Sequence, residues 1–314
     1  MKKSLIIFIS IIILAILGWR IGSSWIPSYP TYEEQKKYGA KAYADAGKVS
    51  ESSYYAPTYL IHKFVSYTFL PNAWSKSVRA NMYLINKYSK QAEDDIDVLG
   101  RIGDSYFYQK KYDAARKWYE KQLEVFKRKY FKNPSYWEKE GLSNTQALTE
   151  ELKYMVNVQE SIASCYTAAG EFNKGIDAHE KTLQLLGEAS GIDKYGKEDI
   201  FRNTFVKIAK LYKVVIKDYK KAIETYERMK TEFPDPFSSS LADVYIGDTY
   251  LAMGNIEKAK EIYKAVIDKY KYPGSTANYD TAERRLKDLK EGVPIVATDR
   301  VVYQVKNDKV SVKY

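Results

Sequence analysis

Large apolar residues recur along this chain at helical spacing with small residues beside them, and one such pattern occurs four times. The first occurrence reads Ile102-Gly103, Tyr106, Tyr112, Ala115, Tyr119, and the second Ile162-Ala163, Tyr166, Phe172, Gly175, His179. The third reads Ile208-Ala209, Tyr212, Tyr219, Ala222, Tyr226, and the fourth Ile246-Gly247, Tyr250, Ile256, Ala259, Tyr263. An apolar residue beside a small one, four positions before a tyrosine, shares one helical face with it. A second helix then sets a small residue four positions before an aromatic or His179, so that the ring fills the gap the small residue leaves. Gly170, Gly254 and Lys110-Lys111 mark the turns between paired helices. Each unit is predicted to be a helical hairpin that buries its apolar face only by stacking on neighbours. The third unit has one extra residue between Tyr212 and Ala222, which predicts a longer turn, and residues 133–150 and 187–200 interrupt the tandem spacing as insertions.

The flanking segments carry other periods. Residues 51–92 read as two helices, about 54–70 and 74–92, separated by Pro71-Asn72. Thr276–Glu291 reads as a capping helix, with Ala282, Leu286 and Leu289 at i, i+4 and i+7. From Val301 to Tyr314 the pattern alternates. A turn at Asn307-Asp308 pairs Val305 with Val310, Tyr303 with Val312 and Val301 with Tyr314 on one face, as a β-hairpin requires. Such a hairpin docks either on the chain's own last helices or on a partner's sheet edge.

At the N-terminus, Lys2 and Lys3 precede an apolar run from Leu5 to Trp19 that continues through Ile21, Trp25 and Ile26. That is about the 20 residues a bilayer needs. It predicts one transmembrane helix, with residues 4–26 in the lipid bilayer; a cleaved signal peptide is the alternative. The lysines before the run predict an inner-membrane, single-pass chain with its bulk on the periplasmic side. The expected organisation is a transmembrane signal-anchor over 1–26, a linker over 27–50, and an N-terminal helical cap or divergent repeat over 51–98. A repeat domain over 99–292 and a β-hairpin tail over 293–314 complete it.

The fourfold pattern resembles the tetratricopeptide repeat family over residues 99–290. The resemblance implies an all-α, helix-turn-helix superhelix, apart from the anchor and the tail, and a concave groove lined by the first helix of each repeat. Carried onto this chain, the groove positions are Asp97, Gly100, Asp104 and Phe107; then Asn157, Glu160, Ser164 and Thr167; then Asn203, Val206, Lys210 and Lys213; and lastly Leu241, Val244, Asp248 and Leu251. The binding set expected is Asp97, Asp104, Phe107, Asn157, Glu160, Asn203, Lys210, Lys213, Asp248 and Leu251. Gly100, Asp104, Glu160 and Ser164 do not match the Lys/Asn clamp that the family's chaperone-tail subclass uses. The first consensus aromatic position holds Leu99, Gln159, Phe205 and Asp243, a departure from the family pattern. The last two repeats, with Phe233-Pro234, Ser238-Ser239-Ser240, Ile246-Gly247-Asp248-Thr249-Tyr250 and Arg284-Arg285-Leu286, are similar to bacterial envelope repeat proteins of the Tol-Pal-associated and outer-membrane-assembly types. This implies an envelope role.

Charge and chemistry refine this picture. The net charge is +10, but residues 99–132 are mainly basic and 133–200 mainly acidic, so no single basic stripe forms and no nucleic acid partner is expected. Tyrosine is abundant, 30 residues, which suits shallow helix packing that buries the ring and wets the hydroxyl. One cysteine, Cys165, forbids an intrachain disulfide, and two histidines are too few for a usual metal or triad site. His179-Glu180 begins like a zinc-protease motif, but Leu183 stands where the second histidine belongs. Gly191 to Lys197 looks like a phosphate loop, but Glu198 replaces the needed hydroxyl residue. No cofactor is expected. The function these readings imply is a non-catalytic, membrane-anchored scaffold or accessory subunit of an envelope complex. It would hold a partner peptide or helix in the groove and membrane subunits near the anchor. The alternative is an envelope-biogenesis enzyme with an unrecognised site, for which Asp104 is the candidate carboxylate.

Overall fold

Gln35, Gly39, Ala42 and Ala46 lie four, three and four residues apart, and all are buried on one face of a helix, α1 (Tyr32–Tyr54). Thr31 starts α1: its hydroxyl accepts from the Glu34 amide at 3.3 Å and donates to the Glu34 carboxylate at 2.9 Å. The computed structural model describes residues 26–54, 70–188, 194–270, 276–296, 302–306 and 309–313. They belong to two units, Met1–Glu171 and Phe172–Tyr314.

In the first unit α1 packs against α2 (Leu70–Lys87), and both pack on α4 (Ile96–Tyr108) after the single turn α3 (Ser89–Ala92). The small stripe on α1 brings the backbones close. The Asn81 amide donates to Gly39 O at 3.4 Å, and a Cβ on Gly39 would lie 2.7 Å from Asn81 Oδ1. Buried polar groups tie the same interface: Arg101 Nε donates to Asn81 Oδ1 at 3.1 Å, and the Ser77 and Ser105 hydroxyls share a hydrogen bond of 2.8 Å. Trp74 is buried against Tyr43 and Tyr108, with ring centroids 5.5 and 4.4 Å away. Residues 32–50 are therefore a packed helix, which corrects the expected linker over 27–50. The second expected helix falls on α2, and residues 55–69 of the first lie outside the described residues.

α4 and α5 (Tyr112–Lys129) form the first repeat hairpin. Its turn is closed by Lys111 N donating to Tyr106 O at 3.0 Å, with Lys110 at φ 61. The fourth repeat's turn makes the same bond from Asn255 N to Tyr250 O, with Gly254 at φ 79. Both are left-handed helix ends, and only Gly254 takes that conformation without a Cβ penalty. The insertion after α5 contains the short α6 (Pro134–Lys139). It is held to α7 (Asn144–Ala168) by Glu151, whose Oε1 accepts from Trp137 Nε1 at 2.6 Å and Lys132 N at 2.9 Å. Ser143 and Gln146 form a reciprocal capping box at the start of α7.

The second unit opens with α8 (Phe172–Glu188) and α9 (Lys194–Lys210). The extra residue of the third repeat is absorbed inside the helix rather than in a longer turn. Leu211–Ile216 winds as a π-helix, Lys217 ends it at φ 65, and Asp218 N donates to Tyr212 O at 2.9 Å. Asp218 then caps α10 (Tyr219–Glu232) by accepting from Lys221 N at 3.0 Å. α11 (Pro236–Ala252) and α12 (Ile256–Lys269) form the fourth repeat hairpin, and α13 (Thr276–Glu291) packs on both. The core of this unit contains Val244, Leu251, Ala259, Tyr263, Val266, Ala282 and Ile295.

Two expectations about the fold are corrected. The two-stranded β-hairpin tail expected over 293–314 is not what forms: β1 (Ile295–Val296), β2 (Val302–Lys306) and β3 (Lys309–Lys313) make a three-stranded antiparallel sheet in the order β1-β2-β3. Its register pairs Tyr303 with Ile295 and with Val312, and Val305 with Val310. The expected single-pass placement in the inner membrane, with the bulk periplasmic, is also overturned. Among the described residues no helix is long and apolar enough to cross a membrane. The apolar run on which that expectation rested lies outside the described residues.

Candidate functional site

The ten expected groove residues divide by exposure. On the first unit, Asp97 and Asn157 are exposed, and Asp104, Phe107 and Glu160 are half-buried. On the second, Asn203 is exposed and Lys210 half-buried, whereas Lys213, Asp248 and Leu251 are at most 1% exposed. The π-helix carries Lys213 inward. Asp97, Asn157, Glu160, Phe107, Asn203 and Lys210 thus reach solvent on the first helices of their repeats, and Lys213, Asp248 and Leu251 do not.

Asp104 and Asp248 occupy equivalent places in the first and fourth repeats and share a structural role. Tyr119 Oη donates to Asp104 Oδ1 at 2.6 Å, and Tyr43 Oη to Oδ2 at 2.8 Å. Tyr263 Oη donates to Asp248 Oδ1 at 2.7 Å. In both repeats the preceding glycine makes room for that ring: a Cβ on Gly103 would lie 2.6 Å from Tyr119, and one on Gly247 2.5 Å from Tyr263. The first helix therefore accepts the phenol of the second through a Gly-Asp pair. The signal in the sequence is the recurrence of Gly103-Asp104-Ser105-Tyr106 as Gly247-Asp248-Thr249-Tyr250, with a tyrosine 15 residues after each aspartate. Burial, with the adjacent Asp104 charge, pushes the Tyr119 hydroxyl far above its usual range, so it stays a donor. With both oxygens engaged by phenols, Asp104 is poorly placed to act as a general base.

Asp248 takes a further partner from α13. Arg285 Nε lies 3.2 Å from Asp248 Oδ1, with the two side chains 4% and 0% exposed. Burial alone would pull the guanidinium down, and the Asp248 charge and hydrogen bond, together with Tyr263 and Asp288, outweigh it and raise it. Asn278 adds a second tie, donating to Ser240 Oγ at 2.9 Å and Phe237 O at 3.1 Å.

Asp95 is the corresponding node at the start of α4. It accepts from Asp97 N and Val98 N at 3.0 and 3.2 Å and from Tyr32 Oη at 2.6 Å, and it pairs with Lys36 Nζ at 2.6 Å. Burial raises the Asp95 carboxyl, but the Lys36 and Tyr32 hydrogen bonds and the Lys36 charge outweigh it and hold it below the usual range. A carboxyl depressed by folding stabilises above its unfolded pKa of about 4, and that stability is lost as pH falls through the folded value. The first unit should therefore weaken below about pH 4. Trp74, Trp118 and Trp137 lie in this unit and no tryptophan follows residue 171, so tryptophan fluorescence reports on it. Asp95→Asn should flatten the fall of the urea midpoint between about pH 5 and pH 2; parallel profiles for variant and parent would contradict this account.

The thiol of Cys165 is buried and pushed up to about 12 by desolvation, which makes it unreactive near neutrality. Among the described residues no group of three or more His, Cys, Asp and Glu could hold a metal ion.

Family comparison matches residues 96–127, 204–236 and 241–275 to tetratricopeptide repeat models, so these three segments are tetratricopeptide repeats. They coincide with the first, third and fourth repeat hairpins. Similar solved structures include a Podosopora anserina kinesin light chain with nearly identical TPR-like repeats. It is 10% identical, with 76% of this chain and 95% of that one covered and a TM-score of 0.44. Apo RapI is 14% identical, covering 80% and 70%, with a TM-score of 0.44. The apo quorum sensor NprR from B. thuringiensis is 14% identical, covering 82% and 67%, with a TM-score of 0.39. These likenesses bear on no residue's role. No curated protein matches the chain. The likeness of the last two repeats to envelope proteins is not shown by these comparisons.

Proposed function

We propose that the chain is a protein-interaction scaffold whose repeats hold a partner's extended peptide or helix on their first helices. The observation that carries this reading is the residue set those helices leave open. On the first unit Asp97 and Asn157 are exposed and Phe107 and Glu160 half-buried; on the second, Asn203 is exposed and Lys210 half-buried. Amide, carboxylate, ammonium and aromatic groups offer a peptide both backbone hydrogen bonds and side-chain contacts. The Gly-Asp-Tyr locks serve this surface by fixing the helices that carry it.

A photo-crosslinking residue at Asn157 or Asn203 in the full chain tests the reading. A partner polypeptide should be captured from each of these positions, and capture should fall sharply from the exposed outer positions Lys117 and Glu257. Equal capture from all four positions would contradict it.

A further inference from the structure

The resemblance assigns Leu241, Val244, Asp248 and Leu251 to the groove face of the fourth repeat, yet none of the four is exposed. The other repeats keep Asp97, Asn157, Ser164 and Asn203 open at the corresponding helices. Two segments lie over this face: α13, whose Arg285 covers Asp248, and the C-terminal sheet. β3 lies against α11, β1 lies against α13, and Ile295 is 0% exposed in one apolar cluster with Val244, Leu251, Tyr263 and Ala282.

Two separate attachments hold this cover. α13 is fastened by the Arg285–Asp248 pair and the Asn278 hydrogen bonds, none of which involves the sheet. The sheet begins after a reversal at Gly292, φ 68, where Val293 N donates to Asp288 O at 3.0 Å. It enters the core through Ile295 on a strand, β1, of only two residues. A strand of two residues makes few backbone bonds that must break before it leaves.

We propose that the C-terminal sheet is a displaceable intramolecular occupant of the last repeat's first-helix face, and that the partner segment which replaces it is an extended strand with a branched aliphatic side chain in the seat of Ile295. This rests on the scaffold reading of the repeats. α13 stays in place when the sheet leaves, so exchange costs only the sheet's own contacts. The occupied face lowers the apparent affinity for any partner by the fraction of chains in which it is free.

The test uses a fluorescein-labelled peptide of residues 293–314 as probe and the full-length chain as receptor. Ile295→Asp should empty the seat, and the peptide should then bind the variant about tenfold or more tightly than the parent. A peptide that itself carries Ile295→Asp should fail to compete. Equal binding to both chains, or competition by the altered peptide, would overturn the proposal. Circular dichroism and the milder Ile295→Ala guard against misfolding: if both variants lose helix, the sheet is a structural cap and the proposal is overturned. Peptide binding that fails while Asn157 and Asn203 still capture a partner sinks this inference and leaves the scaffold reading standing. Peptide binding that succeeds while neither position captures a partner sinks the scaffold reading, and with it the exchange for a partner, and leaves only the displaceable sheet.

Discussion

Asp248→Ala is expected to destabilise the second unit by about 3–5 kcal/mol, the usual cost of leaving one member of a buried ion pair without its counter-charge. Asp248 is 0% exposed, and it answers both Arg285 Nε and Tyr263 Oη. Its removal strands a guanidinium and a phenol in an apolar cluster, and no water reaches them to compensate. Asp248→Asn keeps an acceptor for the phenol but removes the charge, so it should fall between parent and alanine variant. Pairing Asp248→Ala with Arg285→Met removes the stranded charge and should recover most of the loss. Hydrogen exchange of peptides from α11 and α13 reads the unit directly, since no tryptophan lies in it. An Asp248→Ala chain within about 1 kcal/mol of the parent would refute the lock, because that is the range of an exposed pair.

Gly247→Ala should be destabilising by about 1–3 kcal/mol, although alanine is the better helix former by about 1 kcal/mol. The added methyl would sit 2.5 Å from Tyr263 Cε1, and that ring is fully buried and tied by its hydroxyl to Asp248. It has no direction in which to give way without breaking the hydrogen bond. Gly187 in α8 supplies the control, because a Cβ there meets nothing within 4 Å. Gly187→Ala should stabilise by about 0.5–1 kcal/mol. Thermal unfolding of the two variants should therefore shift in opposite directions; shifts of the same sign would show that the close approach at Gly247 is not what requires glycine.

Much of the fold was legible because its signals are local. Tyr106, Tyr250 and the small residues on the second helices mark the helical hairpins. The extra residue of the third repeat was visible too, but not its remedy, because an inserted residue fits a π-turn or a longer loop equally well by counting. α1 escaped notice because its buried stripe is Gln35, Gly39, Ala42 and Ala46, which carries no large apolar residue. Asp104 and Asp248 were legible as first-helix positions and not as acceptors for buried phenols, since that role depends on a ring 15 residues away and, for Asp248, on Arg285 from a third helix. Solvent exposure of the groove set was the least legible property. Leu251 and Lys213 match the repeat register, and only the packing of α13 and the C-terminal sheet, in the first case, and the π-turn, in the second, decides that they face inward.

The most direct test of the scaffold reading is the affinity of the captured partner for the purified full chain carrying Glu160→Lys. Glu160 stands on the first-helix face of α7, and Glu257, on the exposed start of α12, is the matched control. Calorimetric titration should show a loss of about tenfold or more for Glu160→Lys and an unchanged dissociation constant for Glu257→Lys. Equal affinities for the parent and both variants would contradict the claim that the first helices of these repeats hold the partner.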